Sequence, residues 1–135
     1  MKTEREFKLV VPKFDNDGHR ISTEKLKEIA LEMSKHFGGV SVFPKVLGCW
    51  EGKEGLECEE NALLVSARDS SDEKQFKDDM EFMKNLAKKV GNELGQEAVM
   101  LSEDIIKDVS FIAGLRKKEV PEAIREKDFF KKLMD

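Results

Sequence analysis

An α+β fold is predicted by three observations on this chain of 135 residues. Apolar residues alternate or run together in short blocks bounded by Gly, Pro, Asn and Asp, which is the pattern of strands. Two longer segments repeat their apolar residues at spacings of three and four, which is the pattern of helices. The blocks interleave as strand, helix, strand, strand, helix, strand, and an added strand and a C-terminal helix follow.

The first strand is Glu6 to Pro12, EFKLVVP, where Pro12 removes a backbone donor and ends the run. FDNDGHR is a loop, since Asn, Asp and Gly tolerate turn conformations. Ser22 or Thr23 caps a helix that carries Leu26, Ile29, Ala30, Met33 and Phe37 on one face, and Gly38-Gly39 supplies its stop. VSVFPKVLGCW is a second strand, and Pro44 marks it as an edge strand or a bulge. EGKEG is a turn, and CEENALLVSAR is a third, more fully covered strand.

Ser70 and Glu73 have capping-box spacing, and Phe76, Met80, Met83, Ala87, Val90 and Leu94 mark the stripe of a second long helix. AVML begins a fourth strand, and Val109 to Ile112 is the added one. From Pro121, a tail helix carries Ile124, Phe129, Phe130 and Leu133. An antiparallel sheet with both long helices on one face buries both stripes, and the right-handed crossover rule makes the topology a ferredoxin-like βαββαβ. The expected division is residues 1–115 as this domain and 116–135 as a C-terminal helical extension.

Composition narrows the function. Hydrophobic and charged residues are each 39% of the chain, which suits a single core under a heavily charged surface. No apolar run reaches the roughly 20 residues that span a bilayer, and MKTEREFKLVV lacks the order of a secretion signal. A cytoplasmic protein with no membrane partner is expected, and its two cysteines are read as reduced thiols. The net charge is −4, with no Tyr, so nucleic acid is not an expected partner either. No motif calls for a cofactor or a metal. DNDGHRISTE matches a calcium loop at Asp15, Asp17, Gly18 and Glu24 but starts on Lys13, and a capped loop is the preferred reading.

The topology gathers distant segments at one sheet edge: the first loop, Cys49 and Trp50, Cys58 to Glu60, and Gln96 and Glu97. A hairpin centred on Lys53-Glu54 sets Cys49 opposite Cys58 and Trp50 opposite Glu57, close enough for a redox pair. Trp50 is either a lid on the open edge of the core, the first reading, or the wall of a pocket or interface. One of Glu59 and Glu60 faces inward, since strand neighbours point to opposite sides. His19 and His36 are read as solvated or helix-end residues.

The segments FGGVSVFPKVLGCWEGKEGLECEENALLV and LAKKVGNELGQEAVML resemble a group of small uncharacterised microbial α/β proteins. That group shares an F-G-G-x-[ST]…G-x-W…G…E block and a G-Q-E-x-V block. The matching positions are Phe37, Gly38, Gly39, Ser41, Gly48, Trp50, Gly55, Glu59 or Glu60, Gln96, Glu97 and Val99. The resemblance covers roughly residues 5–112 and implies a shared fold and site, not a reaction. This chain departs from it in Ser41, in Cys49 before the Trp, and in a longer stretch between the last two strands.

Two functions follow as expectations. One is a non-enzymatic domain that forms a homo-oligomer, a dimer, because helices on one side of a sheet leave its other face to be covered. It would bind a small-molecule ligand or protein partner near Trp50, Glu59, Glu60, Gln96 and Glu97. The alternative is a cofactor-free enzyme with Glu60 or Glu97 as general base, Gln96 orienting substrate and Trp50 as a pocket wall.

Overall fold

The computed structural model describes residues 4–15, 17–94, 101–106 and 129–134. The added strand at Val109 to Ile112, the start of the tail helix at Pro121, and Gln96 and Glu97 lie outside the described residues. Within them the elements are β1 (Glu4–Pro12), α1 (Thr23–Phe37), β2 (Ser41–Gly52), β3 (Gly55–Asp69), α2 (Glu73–Leu94), β4 (Leu101–Ile106) and α3 (Phe129–Met134).

The strands form one antiparallel sheet in the order β2-β3-β1-β4. Together with the βαββαβ chain order, this is the ferredoxin-like topology, with the two most apolar strands at its centre. On β1, Phe7, Leu9 and Val11 point to the helix side and meet Ser66, Leu64 and Ala62 across the ladder. All six residues are buried, with Met33 of α1 and Met83 and Val90 of α2 above them.

α1 begins at Ser22, whose hydroxyl accepts from Lys25 N at 3.2 Å. It ends at Gly38, which takes a left-handed φ of 91° that a side chain would strain. Its buried face is Leu26, Ile29, Ala30, Met33 and Phe37, the stripe read from spacing. α2 differs from expectation in two ways. Its first turn is capped by Asp72, which accepts from Lys74 N at 2.8 Å, while Ser70 turns inward. Its buried stripe is Asp79, Met83, Leu86, Val90 and Leu94, with Phe76, Met80 and Ala87 half-buried beside it.

α3 packs against α1 and β2. Met134 is buried and Leu133 is 56% exposed, so the contact face lies one position from the expected stripe. The buried Lys13 ammonium and the Arg20 guanidinium both donate to the Met134 carbonyl, at 3.4 and 3.2 Å. Cations at this position complement the negative end of the helix.

Pro44 sits where β2 changes register: Phe43 faces Leu63, but Val46 faces Asn61, so β2 holds an extra residue opposite Ala62. β2 is thus both an edge strand and a bulged one, and the ladder bond Pro44 cannot make is not required of it.

Met33→Ala removes a fully buried side chain, and we expect it to lower unfolding free energy by about 3 kcal/mol. Leu31→Ala, on the exposed side of the same helix, is expected to change it by less than about 0.5 kcal/mol. Urea unfolding of both variants checks the assignment of the α1 face.

Candidate functional site

Two places in the fold concentrate chemistry. The first is the predicted edge around Trp50. The last bond from the β1 side is Lys13 N to the Glu60 carbonyl at 3.2 Å; beyond it β3 pairs, among the described residues, with β2 alone, so Leu47–Gly52 and Gly55–Glu60 form a two-stranded ribbon that projects beyond β1. The ribbon closes through Lys53-Glu54, and Gly55 takes the positive φ of 114° that this turn needs.

Cys49 lies opposite Cys58 and Trp50 opposite Glu57, the register read from the hairpin. The cysteines are joined as a disulfide across a Cα separation of 4.1 Å, where the sequence reading had favoured separate thiols. An isolated two-stranded ribbon is marginal in water. Closing so short a loop stabilises it by roughly 2–3 kcal/mol through the entropy removed from the open chain.

Trp50 is 48% exposed, which corrects the core-lid reading: β2 carries it beyond the end of β1 and on the sheet face opposite the helix-side core. Leu47 and Leu56 on the same ribbon are 60% and 77% exposed. Glu60 points to the helix side, and its Oε1 lies 3.4 Å from Lys45 Nζ and 4.0 Å from Lys13 Nζ. Glu59 is exposed on the other side opposite Gly48, and its carbonyl accepts from Asn61 Nδ2 at 3.3 Å. A Cβ at Gly48 would come within 3.2 Å of that amide, which accounts for glycine there. Glu60 thus meets the end of β1 through Lys13, while Trp50 stands about 10 Å farther along the ribbon.

The loop Asp15–Arg20 is built around a carboxylate. Asp15 Oδ1 accepts from the backbone N–H groups of His19 and Asp17, each at 2.9 Å. The His19 N–H is the main cause that holds the Asp15 carboxyl below its ordinary value. His19 Nδ1 is 3.5 Å from Asp15 Oδ2. These bonds make the segment a self-contained turn.

The second place was missed by the sequence reading. Asp79 is fully buried between α2 and the sheet. Its Oδ2 accepts from Arg68 Nε at 2.9 Å and Ser70 Oγ at 2.8 Å. Its Oδ1 accepts from His36 Nε2 at 2.9 Å, Gln75 Nε2 at 3.0 Å and Arg68 Nη2. Burial opposes ionisation, but the donors from Arg68, Ser70, His36 and Gln75 outweigh it and hold the Asp79 carboxyl below its ordinary value. An ionised carboxylate only accepts, so Nε2 of His36 carries its hydrogen.

The His36 ring stacks on Phe82, with centroids 4.0 Å apart and planes 1° from parallel, and Phe37 meets both rings edge-on. Beside this stack a cavity of about 450 Å³ opens between the helices, lined by Glu32, Lys35, His36, Phe82, Asn85, Leu86 and Lys89. A cavity of about 300 Å³ lies at the start of α1, against Ser22, Thr23 and Lys131. Neither is lined by Trp50.

The signal for Asp79 was in the sequence, because it lies four residues before Met83 and seven before Leu86, on the axis of the apolar stripe. An acid in that position has to be paired. Its partners come from three other segments, which no local spacing reveals.

Comparison with known proteins adds the fold and nothing finer. No protein-family model and no curated protein matches the chain. Among solved structures, the chain is similar to a phage SAM lyase in complex with S-methyl-5'-thioadenosine, with 15% identity and a TM-score of 0.55 over 76% of this chain and 81% of that one. It is also similar to the divalent ion tolerance protein CutA1 from Ehrlichia chaffeensis, with 8% identity and a TM-score of 0.49 over 82% and 87%. No helix among the described residues is long and apolar enough to cross a membrane.

Asp79→Ala strands Arg68 and His36 and is expected to destabilise the fold by about 3 kcal/mol in urea unfolding. Because the carboxyl is held below its unfolded value, its contribution is fully present above about pH 4. It is lost as pH falls through the lower folded value. Asp79→Asn is therefore expected to flatten the acid limb of stability against pH. Reducing the disulfide is expected to speed hydrogen exchange in residues 47–58 while leaving the ladder between β1 and β3 protected.

Proposed function

We propose that this chain is a self-associating binding domain in which a second copy covers the open face of the sheet. The observation that carries the reading is an apolar row across three strands. Val10 of β1, Leu63 of β3 and Phe43 of β2 are direct cross-strand partners on the side that holds no helix among the described residues. Val65 flanks the row on one side and Val46 on the other, and by register Trp50 continues the same face onto the ribbon. Phe43 is half exposed, and Val10, Val46, Leu63 and Val65 are half-buried.

A sheet face of this kind is normally covered, and a second copy presents the same row, self-complementary about a two-fold axis. A homodimer is the simplest closed form. The ribbon gives the same argument in another way, since two unsupported strands hold Leu47, Trp50 and Leu56 in water. By register Leu47 and Leu56 lie on the face opposite to Trp50, so a small ligand or a protein segment seated against Trp50 would bury the indole face alone, and aromatic anchors of this type supply much of the energy of binding. Charge sits at the margins of the face, in the Glu6–Lys8 pair and in Glu57 and Glu59.

Gel filtration with light scattering is expected to give twice the mass of one chain at micromolar concentration. Phe43→Lys is expected to return it to one. Trp50, the sole tryptophan, reports locally: its emission should shift to shorter wavelength as the native chain is concentrated and stay unshifted in Phe43→Lys. A native chain of single mass at every concentration would overturn the proposal.

A further inference from the structure

We propose that the groove between α1 and α2 binds a small planar anion, an aromatic ring bearing one carboxylate or phosphate. The groove lies on the helix layer, so this inference stands apart from association through the open sheet face.

Its walls are facing stripes of two antiparallel helices. α1 contributes Glu32, Lys35 and His36, and α2 contributes Phe82, Asn85, Leu86 and Lys89. The α2 stripe runs over the eight residues from Phe82 to Lys89, about 10 Å of helix, and the volume of about 450 Å³ suits a ring with one substituent. Toward one end the bridge from Lys89 to Glu32 at 2.7 Å spans the open groove between the helices. Toward the other end stands His36, held on its buried carboxylate.

The ring is specified by the wall at that end. His36 and Phe82 stack face to face on each other, and the part of this stacked pair that lines the groove is continued by Leu86. Asp79 holds the imidazole and Phe82 holds its plane, so the stack is ordered before any ligand arrives and can be extended by a third ring with little further ordering. Offset stacking on such a surface favours planar over aliphatic bodies.

The anion is specified by charge. Glu32 is the only acid among the described residues that line the groove, and Lys89 already neutralises it; Glu32 in turn holds the Lys89 ammonium above its ordinary value. Lys35 is exposed and forms no ion pair among the described residues, which leaves one uncompensated positive charge on the lining. Asn85 adds an amide that can donate to a carboxylate or phosphate oxygen.

The test is a ¹H–¹⁵N NMR titration of the full chain with phenyl phosphate, beside inorganic phosphate and benzylamine. Phenyl phosphate is expected to give saturable shifts at Lys35, His36, Phe82, Asn85 and Leu86, with the other two probes at least about tenfold weaker. Lys35→Glu, at an exposed position, is expected to weaken phenyl phosphate at least about fivefold while circular dichroism stays unchanged. Equal shifts from inorganic phosphate would mean a surface lysine and no site. Equal binding of benzylamine, absence of saturation at millimolar ligand, or undiminished affinity in Lys35→Glu would each overturn the proposal.

Discussion

Asp79 stands where β3, α1 and α2 converge, and the arrangement of the helix layer follows from satisfying it. A carboxylate removed from water needs several donors, and this one draws them from separate segments: Arg68 of β3, Ser70 of the following loop, Gln75 of its own helix and His36 of α1. The bidentate guanidinium fixes the depth of α2 over the sheet. The imidazole fixes the end of α1 beside it. The same imidazole, once held, becomes the wall of a groove, so one buried charge sets both packing and the shape of a surface.

The sheet has two unlike faces, and they divide the work of the molecule. The helix side is closed by Phe7, Leu9, Val11, Leu64 and the residues of both long helices. The open side keeps a row of apolar side chains that no part of the described chain covers. A ribbon cross-linked near its tip extends that open side, and the disulfide holds its register where no third strand does. The ribbon therefore presents a defined surface in place of a fluctuating one.

Much of the fold was legible because it depends on periodicity and punctuation. The α1 stripe, the Gly38 stop, the edge position of Pro44 and the pairing of Cys49 with Cys58 all follow from spacing along one segment or across one hairpin. Trp50 was misplaced because its distance from the core depends on how far β3 runs beyond β1, and strand length is poorly encoded in composition. Ser70 was read as a cap because capping residues and buried hydroxyl donors look alike in sequence; its partner Asp79 lies nine residues on. Gln96 and Glu97 lie outside the described residues, so the gathering of that edge is seen only through Lys13 and Glu60.

The two strands of the ribbon are mechanically unequal. β3 runs unbroken from Gly55 to Asp69, a rod of about 50 Å. One of its ends is the ribbon tip, and the other carries Arg68. β2 shifts register at Pro44, where an extra residue interrupts its ladder. The ladder of β2 is thus broken between the tip and the sheet, whereas β3 runs without a break from the tip to the guanidinium that grips Asp79. One strand therefore serves both places where chemistry is concentrated, the exposed ribbon at its start and the buried carboxylate at its end.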